Sequence, residues 1–296
     1  MKRFLLVAAL ALLASVLPLS PAAGQTPAAR SLLNVPFRGV AAPASTFDLV
    51  QSVTDFKPGA KSHVMTTGTP HYLSVLAGEL TVDIDGKSEA VAAGKGVSAP
   101  AGAKLTLSNT GAANARLFAV TLLAVGAVAD VHQLSAPGIT TFATGRRTMP
   151  NAPAVVDIVL IGAEYDPGYQ TPNHVMNEFH LMIHLAGRVG YVYLDGGSET
   201  YAAGSQGIMY EARPGYMRNE GQVASTTVWA WVANPGKPLT SAVAAAPAPG
   251  APNTGNSAAQ GGAAIPVGVA AAGLVLVFLG GSAFAAKRAK DAWRNG

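Results

Sequence analysis

Two stretches of this chain repeat one another. Residues 56–86 read FKPGAKSHVMTTGTPHYLSVLAGELTVDIDG, and residues 165–196 read YDPGYQTPNHVMNEFHLMIHLAGRVGYVYLDG. Each carries a Pro-Gly turn, His-Val-Met, a later His, Leu-Ala-Gly, a strand-like run and Asp-Gly. His71 lies seven residues before Gly78, and His180 seven before Gly187. Further on, Asn109 and Asn219 each fall fifteen residues after a Gly, at 94 and 204. A repeat of this length constrains the fold more than any composition does, because whatever one copy builds the chain builds twice.

The unit being repeated reads as all-β. Leu80, Val82 and Ile84 alternate with Thr81, Asp83 and Asp85 before an Asp-Gly hairpin turn. RLFAVTLLAV (116–125) and TTVWAWV (226–232) read as buried strands that close each unit. Short strands between Gly and Pro turns predict a closed barrel or jelly roll, which leaves few open sheet edges. Within the second copy, His174, Met176, Glu178, His180, Met182 and His184 occupy alternate positions. In an extended strand such residues share a face, which is either a metal site or the lining of a barrel.

The order Pro-Gly, His-x-x, a polar residue seven before Gly, Leu-x-Gly, Asp-Gly, then Gly, Pro and Asn resembles the cupin pattern, twice over. The likeness covers most of 50–125 and 160–233. It implies two tandem cupin jelly-roll β-barrels, residues 25–135 and 136–233. Cupins usually offer His-x-His, then Glu, then a final His. By that alignment His63 and His174 keep the first ligand, Met65 and Met176 replace the second, and His71 and His180 replace the Glu. Leu105 and Gly215 stand where the last His belongs. The resemblance therefore implies metal candidates at His63, Met65, His71, His174, Met176 and His180, with Glu178 as a further oxygen donor. The cofactor is left unidentified. Imidazole suits several divalent transition metals and thioether favours copper. The competing reading is a metal-free lining in which Met fills space and each His is hydrogen-bonded.

Other polar residues read more plainly. Met182 and His184 align with Leu73 and Val75, so His184 is expected as a core histidine with one backbone partner. His132 reads as solvent-facing, and Arg146–Arg147 as a solvated linker pair. Tyr191, Tyr193, Trp229 and Trp231 read as barrel core.

The ends of the chain set its expected location. Residues 1–24 have the layout of a secretory signal: MKR, an apolar run, then PAAG. Residues 234–263 are rich in Ala, Pro and Gly and read as a flexible linker. Residues 264–286 carry no charge over a length that spans a bilayer as a transmembrane helix, and 287–296 form a basic cytoplasmic tail. APNTG (251–255) resembles a sortase-type wall-sorting signal whose leading Leu is replaced by Ala251. Setting aside the cations of the two ends, the exported part is close to neutral, so the pI of 9.3 points to no nucleic-acid partner. With no Cys, disulfides, thiolate metal sites and Cys nucleophiles are excluded.

The expectation is thus a membrane-anchored extracytoplasmic bicupin that binds a small molecule or metal ion without catalysis. The alternatives are a metal-dependent dioxygenase or isomerase with remodelled His/Met ligands, and a rigid envelope spacer. Whether the two barrels pack within one chain or pair between chains as a homodimer is left open.

Overall fold

The computed structural model describes residues 26–129, 134–209 and 211–243, all regular structure among them being β. The expected signal segment, His132, APNTG, the apolar segment 264–286 and the basic residues after it lie outside the described residues. The first repeat comprises β1 (Ala29–Ala41), β2 (Phe47–Phe56), β3 (Met65–Thr66), β4 (His71–Ala77), β5 (Glu79–Ile84), β6 (Lys87–Ala92), β7 (Gly96–Ala99), β8 (Lys104–Ser108) and β9 (Ala115–Ala124). The second comprises β10 (Ile139–Met149), β11 (Val155–Tyr165), β12 (His174–Met176), β13 (Phe179–Ala186), β14 (Arg188–Tyr193), β15 (Ser198–Ala202), β16 (Gln206–Gly207), β17 (Gly215–Asn219) and β18 (Ser225–Ala233), followed by β19 (Thr240–Ala242).

Four sheets make two barrels. The first barrel faces the sheet β10-β2-β9-β4-β7 with β3-β8-β5-β6, and the second faces β1-β11-β18-β13-β16 with β15-β14-β17-β12-β19. The outer faces of the β10-β2-β9-β4-β7 and β1-β11-β18-β13-β16 sheets meet in a common core that includes Phe47, Leu49, Phe118 and Val120 from one, and Ile158, Leu160, Ile183 and Val228 from the other. The central strands are therefore buried on both sides. That is why β2, β9, β13 and β18 are buried along nearly their whole length while β5 alternates.

The boundary drawn at 135/136 does not coincide with the boundary between sheets. β1 opens the first repeat, yet it pairs antiparallel with β11 of the second. β10 opens the second repeat and pairs with β2 of the first. Each repeat lends its leading strand to the other. Equivalent ion pairs fix the two arms: Arg38 holds the buried Asp157 at 2.6 Å, and Arg146 holds the buried Asp48 at 2.8 Å. The Arg146–Arg147 pair is accordingly not a solvated linker. Nor does the flexible linker begin at 234. β19 pairs with β12, and Asn234 donates to Glu178 through both its backbone and side-chain nitrogens. The open edge of β12 needs a hydrogen-bonding partner, and the first residues past β18 supply it.

The repeated motifs acquire physical reasons. Gly78 and Gly187 adopt positive φ, and a Cβ there would sit 2.7 Å from the backbone oxygens of Asn114 and Ala224. Only Gly fits at the end of Leu-Ala-Gly. Asp85-Gly86 forms the expected two-residue hairpin between β5 and β6, both residues having positive φ. Asn109 and Asn219 are the same clamp built twice. Each side-chain amide donates to two backbone carbonyls, Phe56 and Ala113 or Tyr165 and Val223. Each oxygen accepts from the backbone N–H of the Gly two residues on.

Candidate functional site

The two barrel interiors differ in chemistry. The first is filled mainly by Leu, Val and Ala, among them Leu73, Val75, Leu80, Leu105 and Leu117. The second packs Met176, Met182, Met209 and Met217 with Tyr165, Tyr191, Trp229 and Trp231. Alternation along β13 turns His180, Met182 and His184 into this second interior and leaves Phe179, Leu181, Ile183 and Leu185 for the core between the barrels.

In the first barrel the sequence-derived candidates are divided. His63 is exposed, Met65 is half-buried on β3 against Leu105, and His71 is 1% exposed on the same face of β4 as Leu73 and Val75. Leu105 occupies the barrel core at the place of the missing last His.

The second barrel gathers more of them. His174 and Met176 are two apart on β12 and share a face, with Met176 in the barrel core. His174 Nδ1 lies 2.7 Å from the carbonyl oxygen of Pro172. His180 Nδ1 lies 3.1 Å from the carbonyl oxygen of Glu178, and its Nε2 accepts from the Met209 backbone N–H at 3.2 Å. A carbonyl can only accept, so both imidazoles carry their proton on Nδ1. Burial lowers the pKa of His174, against the opposing pull of the Pro172 carbonyl. Burial likewise brings His180 down to about 4, although the Glu178 carbonyl and the Glu211 carboxylate pull the other way. Both rings are neutral at pH 7.

Glu178 does not join them. Its carboxylate is taken by Asn234, so the alternation that grouped it with His174 and His180 breaks between β12 and β13. Glu211 comes closer, with Oε1 3.8 Å from His180 Nδ1. Burial alone would raise the Glu211 pKa, but paired hydrogen bonds from Arg147 and its charge carry it below the usual carboxylate range. Arg147 also donates to the His180 carbonyl and lies over the Phe179 ring. Arg147 thus ties β10 to the second barrel.

His184 has side-chain partners where a single backbone partner was expected. Nδ1 is 3.1 Å from Thr227 Oγ1, and Nε2 is 2.8 Å from the Tyr191 hydroxyl, which also reaches Met182 Sδ at 3.1 Å. The ring stacks on Tyr201, and burial lowers its pKa to about 4. Trp231 packs against His180 at 4.5 Å between ring centroids, and its buried indole N–H has no hydrogen-bond partner among the described residues.

The sequence reading missed Met209. Its backbone contacts His180, and its methyl end lies 3.3 Å from where a Cβ on Gly215 would stand. Gly215 is the antiparallel partner of His174. Met209 therefore fills the place vacated by the last His of the motif. Only the absence of a side chain at 215 hinted that something else must occupy that space.

Among the described residues, no three His, Asp or Glu side chains gather as a metal-binding group. The residues present do not fit a divalent ion held by three nitrogen and oxygen ligands, and no catalytic step is derived through one.

Fold and site together define a tandem β-barrel protein with one aliphatic and one His/Met/aromatic interior. Residues 52–121 match the family described as Cupin domain, which supports the cupin superfamily. No curated protein matches. Among solved structures, the chain is similar to AerE from Microcystis aeruginosa, at 12% identity over 69% of this chain and 99% of that one, TM-score 0.44. It is also similar to Bacillus subtilis oxalate decarboxylase, studied for its Mn(II) centres, at 13% identity over 72% and 80%, TM-score 0.44. A mutant of that decarboxylase gives 15% identity over 74% and 80%, TM-score 0.46. At these values the structural likenesses carry no part of the functional argument.

Proposed function

We propose that this chain is a membrane-anchored, extracytoplasmic tandem cupin that holds a small molecule or a metal ion in its second barrel and is not a catalyst. The observation that carries this reading is the contrast between the interiors. A barrel needed only as a spacer is served by the mainly Leu and Val packing of the first, whereas the second buries two neutral imidazoles and four thioethers among aromatic rings. Burying polar groups is costly, and an unpartnered one most of all. The first barrel buries one imidazole, His71, with Met65 only half-buried beside its core, and the concentration of such groups in the second favours recognition there. The anchoring part rests on the sequence of the two ends, with 1–24 as export signal, 264–286 as span and 287–296 as cytoplasmic tail. The enzyme alternative lacks the third nitrogen or oxygen ligand that it requires.

Native mass spectrometry of the protein extracted from its own membranes tests the binding reading. One additional species of fixed mass per chain is expected. A protein that carries nothing, and that neither metals nor a metabolite panel stabilise against heat, overturns it. Protease shaving of intact cells should release the barrels; protection of both barrels refutes the topology.

A further inference from the structure

The second barrel holds a donor set that its hard-ligand count conceals. His174 and Met176 project from one face of β12, while His180 projects inward from β13. Met209 lies between the two strands, its N–H at His180 Nε2 and its methyl end 3.3 Å from where a Cβ on Gly215, the strand partner of His174, would stand. Met176 is joined to the same loop through a bridge to Glu211. Strand pairing and these contacts thus bring two imidazoles and two thioethers to the same end of the barrel. The indole of Trp231 stands beside them against His180.

The hydrogen bonds orient these donors. Both histidines give their Nδ1 proton to a backbone carbonyl, which leaves the Nε2 lone pair as the ligating atom. Metal-binding histidines are fixed in the same way, with the remote nitrogen held by a carbonyl or carboxylate. In the structure the His180 lone pair accepts the Met209 N–H at 3.2 Å, and a metal must displace that bond. Imidazole alone suits many metals, but thioether is a soft donor that selects Cu(I). A monovalent ion also imposes less charge on a buried apolar site than a divalent one, and an aromatic face beside it is favourable to a cation.

Resting on the ligand-binding reading of the second barrel, we infer that its ligand is a soft monovalent metal ion, Cu(I), held by His174, Met176, His180 and Met209 beside Trp231. The site takes up the ion without any change of oxidation state, so no oxidant or reductant enters the binding step.

Full-length protein is titrated anaerobically with Cu(I) against a chromogenic chelator, and with Ag(I) as a redox-inert surrogate. One equivalent retained per chain is expected, with quenching of the barrel tryptophans. X-ray absorption of the loaded wild type should show sulfur neighbours, which must be thioethers because the chain has no Cys. Met176→Leu and Met209→Leu preserve side-chain volume and should each weaken retention at least tenfold. Failure to retain Cu(I), a nitrogen- and oxygen-only coordination shell, or unchanged retention in both Leu variants overturns the assignment. A chain that binds an organic molecule and no Cu(I) sinks copper alone, whereas one that binds neither sinks the ligand-binding reading with it.

Discussion

Acid should begin to weaken the second barrel before it titrates ordinary carboxylates. Burial holds His180 and His184 at about 4, against about 6.5 in an unfolded chain. At pH 7 both rings are neutral in either state, and their contribution to stability is fully present. Below about 6.5 the unfolded chain takes up two protons that the folded barrel refuses, so stability falls as pH falls, levelling off below about 4. Each unit of pKa difference is worth about 1.4 kcal/mol, giving roughly 3 kcal/mol per histidine and roughly 6 for the pair across that window. Trp229 and Trp231 both lie in this barrel, so their fluorescence in urea titrations at pH 7, 5.5 and 4.5 reports its unfolding directly. The midpoint should fall steadily with pH, and His184→Gln, which removes one of the two protons, should roughly halve the slope. A midpoint unchanged between pH 7 and 5, or a slope indifferent to His184→Gln, refutes the claim that these rings are buried neutral.

Four substitutions probe the scaffold. Asn219→Ala removes three hydrogen bonds and strands two carbonyls and an N–H at a buried turn, so thermal or urea unfolding should show a loss of about 2–4 kcal/mol, and Asn109→Ala a loss of similar size. Gly187→Ala places a methyl against the Ala224 carbonyl at positive φ and should cost at least about 2 kcal/mol by the same measure; an unaffected midpoint would mean that the turn relaxes freely. Arg38→Met leaves the Asp157 carboxylate buried beside a single backbone donor, Gly39. Hydrogen exchange along β1 should therefore quicken more than along β10.

Much of this architecture was legible because it is written in short-range chemistry. Asp85-Gly86 has one good use between alternating strands, and Gly78 and Gly187 recur because backbone stands where a side chain would go. Asn109 and Asn219 could be matched by spacing before their role as clamps was known. The exchange of β1 and β10 was not legible. An extended segment carries no local mark of which sheet it will join, and Arg38 and Arg146 look like any surface cations until Asp157 and Asp48 are found opposite them. The proposed site was half legible for a similar reason. His174, Met176 and His180 follow from the motif, whereas Met209 reaches the same place from another loop and replaces a residue that is missing. Glu178 was misplaced because its alternation assumes one continuous strand across a segment that the chain interrupts.

The lending of leading strands sets a timetable for the nascent protein. β2 lies at an unfinished margin until residues 139–149 leave the ribosome, so the earlier barrel waits on the chain that begins the later one. β1, meanwhile, emerges first and has nowhere to go until Val155–Tyr165 arrives more than a hundred residues afterwards. Severing the connector between β9 and β10 would therefore yield two incomplete pieces, each missing a staple that the other carries, and neither half is a portable module for grafting elsewhere.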